Sequence, residues 1–328
     1  MSRTLERVCV VGGAGFIGSH FVRRLLDSDS TLGVTVYDNF SSGREWHLAP
    51  VADDPRLTVV RADVVDLADL AAAVAGHDTI IHLASNPDIA AAATNPAIDF
   101  DQGTRLTHHV AEAARISEVA LVLYASGSGV YGDLGETEAV ENYGPMVPTS
   151  TYGASKLAGE AILASYAYMF GVTARAFRFG NVVGPHQTHG VGYDFVRRLL
   201  DDPSQLRILG DGKQSKSYIY VDDVIDAVLL AGSLADTPFD AFNVATGDYV
   251  TVTEIAELAM DVLDLPAGST WFDYTGGERG WKGDVPIVRI NTDKIRSLGW
   301  RNAHTGPEGL RESMTSMAQD ARAGRFGT

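Results

Sequence analysis

Cysteine is nearly absent from this chain. Cys9 stands alone inside an apolar run, which excludes a disulfide framework and reads as core filler. Lysine is scarce too: Lys156, Lys213, Lys216, Lys282 and Lys294 are the only ones, so each is more informative than a lysine in an average chain. Positive charge is outweighed, with 26 Lys and Arg against 42 Asp and Glu and a net charge of −16. That balance argues against nucleic acid or an anionic membrane surface as a partner. It leaves room for an anionic small ligand held by a glycine loop. No apolar stretch reaches the roughly 18 residues of a membrane span. The opening residues are few and polar, so no secretory leader is expected, and the expected setting is reducing and cytoplasmic. Internal repeats and low-complexity linkers are also missing. With 328 residues the chain can bury a large core across two subdomains.

What is present begins with a β-branched run over 6–11 that feeds into Gly12-Gly13-Ala14-Gly15-Phe16-Ile17-Gly18. An amphipathic stretch over 16–26 follows, with apolar residues at Ile17, Phe21, Val22, Leu25 and Leu26. Strand, glycine turn and helix in that order let the backbone approach a pyrophosphate at the helix N-terminus. The next strand, 33–37, ends at Asp38, twenty residues after Gly18. An acid there suits the ribose hydroxyls of NAD and repels a 2′-phosphate. The glycine spacing is one residue wider at its start than the usual dinucleotide fingerprint. The whole unit of about 30 residues is nevertheless specific for a dinucleotide site.

Strands and helices alternate onward: strand 57–61, helix 67–75, strand 78–83, helix 99–116, strand 119–124, helix 151–170, strand 173–178. This alternation predicts an α/β fold, a Rossmann doubly wound parallel sheet. Asp63, Ala84, Ser85 and Ser126 each follow an expected strand, so they meet at one sheet edge. Beyond residue 180 loops lengthen and strands shorten. The expected division is a dinucleotide-binding domain from 1–180 plus about 215–246. A smaller mixed α/β substrate-binding lobe takes about 181–214 plus 247–328.

Tyr152 and Lys156 sit four apart on the 151–170 helix, so phenol and ammonium project from one face. A free tyrosine, with a pKa of roughly 10, is a poor base at neutral pH. A neighbouring ammonium is expected to lower it and make a proton-transfer pair.

Taken together these residues resemble an extended short-chain dehydrogenase/reductase, and within it the NAD-dependent nucleotide-sugar 4-epimerases. The resemblance covers nearly the whole chain. It rests on Gly12 through Gly18, Tyr37-Asp38-Asn39, Asp63, His82-Leu83-Ala84, Val130-Tyr131-Gly132 and Tyr152-x-x-x-Lys156. The run Arg178-Phe179-Gly180-Asn181, with Gly210-Asp211-Gly212, Tyr220-Val221-Asp222-Asp223 and Gly276-Gly277-Glu278-Arg279-Gly280, completes it. The resemblance implies a UDP-hexose 4-epimerase with tightly bound NAD, acting through a transient 4-keto sugar, and a homodimer built on helices 99–116 and 151–170. Tyr152 would take the 4-hydroxyl proton, and Lys156 would hold the nicotinamide ribose. Gly12, Gly15, Phe16, Ile17, Gly18, Asp38, Asn39, Asp63, Val64, Leu83 and Ala84 would line the NAD site. Asn181, Lys216 and Arg279 would hold the UDP diphosphate.

Three positions depart from that pattern. A Ser or Thr is usual where Gly127 stands, so Ser126 or Ser128 is left to supply the hydroxyl, unless both only satisfy loop backbone groups. Lys216 replaces an arginine, which keeps the charge and loses the planar fork. Val288 replaces a large tyrosine and widens the sugar pocket. The turn around Ser128-Gly129 has no carboxylate, which argues against the dehydratase and decarboxylase alternatives. Its two glycines leave room for a uronic acid, so UDP-glucuronate or UDP-galacturonate stands beside UDP-glucose and UDP-galactose. A catalytically inactive NAD-binding regulator is the remaining alternative. His186 and His189 lack further metal ligands at suitable spacing, so no metal site is expected. His108 and His109 read as structural or interfacial. Trp271, Trp281 and Trp300 fall in the expected lobe.

Overall fold

Hydrophobic parity organises the molecule. A computed structural model describes residues 5–86, 89–234, 237–281 and 283–325. In it β1 (Arg7–Val11), β2 (Gly33–Asp38), β3 (Leu57–Arg61), β4 (Thr79–His82), β5 (Leu121–Gly127), β6 (Thr173–Phe179) and the strand Phe239–Val244 form one parallel sheet. Val8, Val10, Val34, Val36 and Leu123 project to one face, where they pack with Phe21 and Val224. Cys9, Val11, Tyr37, Val122 and Tyr124 project to the other, against Val110 and Leu163. Alternation by two thus feeds a core on each side, as a sheet covered on both faces requires. Burial pushes the Cys9 thiol up to about 12, so it behaves as an inert apolar group.

The strand order runs Phe239–Val244, β6, β5, β4, β1, β2, β3. The chain winds outward from β1 through β2 to β3, then returns to β4 on the other side of β1. That reversal opens a crevice beyond the carboxyl ends of β1 and β4. A third core belongs to the lobe, where Phe195, Leu206, Ile208, Ile255, Leu310 and Met314 pack together. Its helices Val252–Val262 and Gly306–Arg322 start at capping boxes, Thr251 with Glu254 and Thr305 with Glu308. Its short strand pairs are parallel for Gln205–Ile208 with Trp271–Tyr274, and antiparallel for Ser215–Lys216 with Val250–Thr251.

Three expectations shift. The 99–116 helix opens with a π turn, Phe100–Thr104, before the α-helix Arg105–Ile116. Gly103 sits there against the neighbouring helix; a Cβ on it would fall 2.6 Å from Ser155 Oγ. β5 continues past residue 124 to Gly127. Trp300 and Ile295, read from sequence with the lobe, pack in the first core of the sheet, with the Trp300 indole donating to the Asp223 carbonyl at 3.0 Å.

A histidine cluster joins the turn after the strand Asn181–Val183 to the large domain. His20 Nε2 donates to the Pro185 carbonyl at 3.0 Å, and His47 Nδ1 donates to the Ala14 carbonyl at 2.8 Å. The His186 ring stacks on His47, 4.5 Å between centroids, and its Nδ1 lies 3.0 Å from Ser19 Oγ. His186 is therefore a packing residue. Among the described residues no group of three or more His, Cys, Asp or Glu could hold a metal ion. Burial holds His47 down to about 4 and His186 down to about 3, and buried His82 is likewise held down to about 3.

The sign of the resulting pH dependence follows from linkage. These histidines bind protons more readily in the unfolded chain, near 6.5, than in the folded one. Stability is therefore full above that value and drains away as pH falls from about 6.5 toward 4. Thermal midpoints measured across that range should drop, and His47→Gln with His186→Asn should flatten the slope. An unchanged slope in the double variant would remove the cluster from the acid response.

Candidate active site

The glycine turn is shaped by contacts that a side chain would break. Gly12 has φ +86, and a Cβ on it would lie 2.8 Å from the Ala84 amide nitrogen. A Cβ on Gly18 would lie 2.2 Å from the Gly12 carbonyl oxygen, so only glycine lets the helix Phe16–Leu26 sit directly on the turn. The amide of Gly12 donates to the Tyr37 carbonyl at 2.8 Å, and that of Ala84 donates to the Val11 carbonyl at 3.1 Å. These bonds fasten the ends of β1, β2 and β4 around one opening. Asp38 closes the turn from β2: its carboxylate accepts from the amides of Ala14 at 2.9 Å and Phe40 at 2.7 Å. Burial raises its acid pKa, and those amides pull it back down.

Gly12, Gly15, Phe16, Ile17, Gly18, Asp38, Asn39, Asp63, Val64, Leu83 and Ala84 all line one cleft of about 1240 Å³. Ligand sites usually run from about 300 to 1,000 Å³, so this one has room for two nucleotide-sized molecules end to end. Its far wall is ordered by Asn39, whose amide donates to the Asp63 carboxylate at 3.0 Å. His109 supports it from behind, with Nδ1 donating to the Val64 carbonyl at 2.9 Å. The cradle at Gly12, the helix N-terminus beyond it and the acid at Asp38 fit the pyrophosphate and adenosine ribose of NAD.

The helix Thr151–Phe170 starts at Ser150, whose side chain accepts from the Gly153 amide at 3.1 Å. Its row Tyr152, Lys156, Glu160, at intervals of four, faces the end of β5. Lys156 Nζ donates to the Ala125 carbonyl at 2.8 Å and lies 5.4 Å from the centroid of the Tyr152 ring. The ammonium thus lies over the ring and spends a hydrogen bond on the strand backbone. The phenol stands above its ordinary value, against the expectation that the ammonium lowers it. Burial comes first: it pushes Tyr152 up to about 12, with the buried Asp99 carboxylate adding to the rise, and it pulls Lys156 down to about 8. Asp99 accepts from Asn86 Nδ2 at 2.9 Å and Thr151 Oγ1 at 2.6 Å.

Ser126 lines the cleft, but its hydroxyl is turned to the helix. It is buried, and its Oγ donates to Glu160 Oε1 at 2.5 Å. Ser128 lines the cleft half-buried, and its hydroxyl makes no hydrogen bond to the described residues. Around Gly127, in extended backbone at φ −163, a Cβ would meet nothing within 4 Å. The place of the absent side chain is open space.

On the lobe side, Asn181, Lys216 and Val288 line the cleft. Asn181 Nδ2 donates to the Ser217 carbonyl at 3.3 Å. Lys216 Nζ donates to Asp284 Oδ1 at 2.6 Å. Arg279 stands outside the lining: its guanidinium donates to Asp133 Oδ2 at 2.5 Å and to the Asp284 carbonyl. Sequence reasoning missed Asp99 and Asp284. Asp284 follows a glycine in a loop and Asp99 precedes the π turn; neither has a local signal. Ser85 was visible only as a residue after a strand. Trp281 borders the cleft, whereas Trp271 is exposed.

Comparison with known proteins agrees with this geometry. The sequence model of the NAD dependent epimerase/dehydratase family matches residues 8–245. A UDP-glucose 4-epimerase of Mycolicibacterium smegmatis is 32% identical over 316 residues, covering 94% of this chain and 97% of that one. A crystal structure of a UDP-galactose 4-epimerase superposes with a TM-score of 0.83 at 36% identity, over 96% of this chain and 99% of that one. A dTDP-glucose 4,6-dehydratase of Streptomyces venezuelae, solved with NAD bound, gives a TM-score of 0.88 at 28% identity over 97% and 98%.

The two glycines that frame the site should respond oppositely to substitution. Gly127→Ser should leave unfolding stability within about 0.5 kcal/mol, as surface-like changes do. Gly18→Ala should cost about 1–3 kcal/mol or more from overpacking and lower the NAD content of the purified protein or its affinity for added NAD. Urea unfolding and cofactor content after denaturation check both, and equal effects would contradict the placement of Gly127.

Proposed function

The chain belongs to the NAD dependent epimerase/dehydratase family, and on that premise we propose that it is a UDP-hexose 4-epimerase. One observation carries the reading: Tyr152 stands in the same cleft as the glycine turn and the lobe cation Lys216. NAD, when bound, supplies an acceptor that takes the C4 hydrogen with its electron pair and later returns it. Tyr152 Oη accepts the 4-hydroxyl proton and gives it back after the 4-keto sugar has turned about its diphosphate linkage. Lys156, fixed by the Ala125 carbonyl, holds the nicotinamide ribose. Ser128 is the hydroxyl left to polarise the sugar 4-oxygen. Lys216 and Asn181 hold the diphosphate.

The dehydratase reading is weaker because residues 126–130 are Ser, Gly, Ser, Gly and Val, with no acid or base for carbons 5 and 6. Glu160, the nearby acid on the helix, is engaged by Ser126 and Arg178. Open space at Gly127 favours a UDP-hexuronate as a second substrate pair. The proposed assembly is a cytoplasmic homodimer. Phe100, Ile116, Tyr168, Met169 and Phe170 support it, since all are exposed and lie on or beside the two helices concerned.

Purified protein given UDP-glucose, UDP-galactose or UDP-galacturonate should yield the 4-epimer without added NAD. Faster turnover of the uronate than of the neutral sugars would select the second pair, and no turnover of any would leave the regulator. Tyr152→Phe should lower kcat about 10³-fold while NAD stays bound. Full activity in that variant would remove Tyr152 from the mechanism.

A further inference from the structure

The hydroxyl missing at Gly127 raises the question of what now meets the Tyr152 phenol. Ser126 is turned toward Glu160. On the neighbouring strand, Leu83 and Ala84 both donate their amides to the Val11 carbonyl, at 2.9 and 3.1 Å, which fixes the backbone just before Ser85. Immediately after it, Asn86 is anchored on Asp99. Ser85 lies between these two anchors, at the end of β4, and β4 is paired with β5, whose end is Gly127. It lines the same cleft as Tyr152 and Gly127. Its Oγ is buried and meets no partner at full hydrogen-bond geometry, with the Tyr152 phenol as its neighbour. Such an orphan hydroxyl normally costs stability, so its retention beside a reactive group points to a use. The phenol registers it: Ser85 is the one influence that lowers Tyr152 against burial and Asp99.

We propose that Ser85 is a positioning residue whose hydroxyl holds the Tyr152 phenol oxygen in place for proton transfer, taking over from β4 a role that Gly127 cannot perform from β5. The hydroxyl donates to the phenolate form and accepts from the phenol, so one contact serves both directions of the reaction. The proton itself moves only between Tyr152 and the sugar oxygen. This rests on the proposed function, in which Tyr152 is the acid and base.

A crystal structure of the NAD complex tests the contact without turnover. Ser85 Oγ should lie within about 3.2 Å of Tyr152 Oη. A Ser85 hydroxyl turned to another partner overturns the proposal, even if the protein is a good epimerase. In turnover, Ser85→Ala should lower kcat about tenfold with KM unchanged, the loss of one hydrogen bond to a charged group. Ser85→Thr should keep the rate. Ser85→Ala combined with Gly127→Ser should regain most of it, because the hydroxyl returns from the neighbouring strand. Unchanged kcat in Ser85→Ala, with bound NAD and thermal midpoint also unchanged, overturns the proposal. If no UDP-hexose is turned over, the proposed function fails while the crystallographic contact is still read.

Discussion

The buried ion pair between Glu160 and Arg178 is the constraint on which the rest of the site depends. Both side chains are at most about 5% exposed, and Arg178 Nη2 meets Glu160 Oε2 at 2.6 Å. Taking two charges out of water costs several kcal/mol per ion unless every remaining lone pair and proton is satisfied. Here they are used: Arg178 also donates to the Tyr131 hydroxyl at 2.8 Å and the Glu141 carbonyl at 2.9 Å, and Ser126 donates to Glu160. Tyr131 passes the chain on to Asn243 at 2.8 Å, whose amide donates to the carbonyls of Ala139 and Asn291. One pair therefore binds β5, β6, the strand Phe239–Val244 and two long loops. It also fixes the rotation of the helix Thr151–Phe170. With Glu160 pinned, Lys156 and Tyr152 one and two turns earlier are aimed at the cleft.

That anchoring has an electrostatic consequence. Lys156 is buried beside the pinned pair and Tyr152 is half-buried next to it, and burial disfavours the charged form of each. The phenol rises to about 12 and the ammonium falls to about 8, so near neutral pH the phenol keeps its proton and the lysine stays charged, though it holds its proton less firmly than a free lysine. A base that must accept a proton near neutral pH needs help from whatever enters the cleft. The fold supplies position, and the charge balance is completed on binding.

Much of the fold could be read from residue order, because the glycine turn, the acid at the end of β2 and the alternation of strand and helix are local patterns. The site was less legible where parity or distance decided. Reading β5 as ending at Tyr124 left Ser126 and Ser128 equivalent. Extending the strand to Gly127 restores the period of two, which puts Ser126 on the side of Tyr124, facing the helix and Glu160. Gly127 then opens to the cleft. Arg279 lies outside the cleft lining, which residue order did not announce. Its partner Asp133 lies 146 residues away, and no local pattern announces such a pair.

The two lobe cations are not equivalent, and burial tells them apart. Asp284, paired with Lys216, is about 4% exposed and also accepts from the Gly280 amide at 3.0 Å. Removing Lys216 from it would strand a buried carboxylate, at the several kcal/mol that an unpaired internal charge costs. Arg279 is 46% exposed and Asp133 30%, and an exposed pair of this kind contributes about 0–1 kcal/mol. A diphosphate, with more charge than one carboxylate and a geometry that suits the guanidinium fork, can outcompete Asp133 for Arg279. Lys216 is then the fixed cation of the proposed diphosphate site, keeping Asp284 as it binds. Arg279, in its exposed pair with Asp133, is the more weakly held of the two.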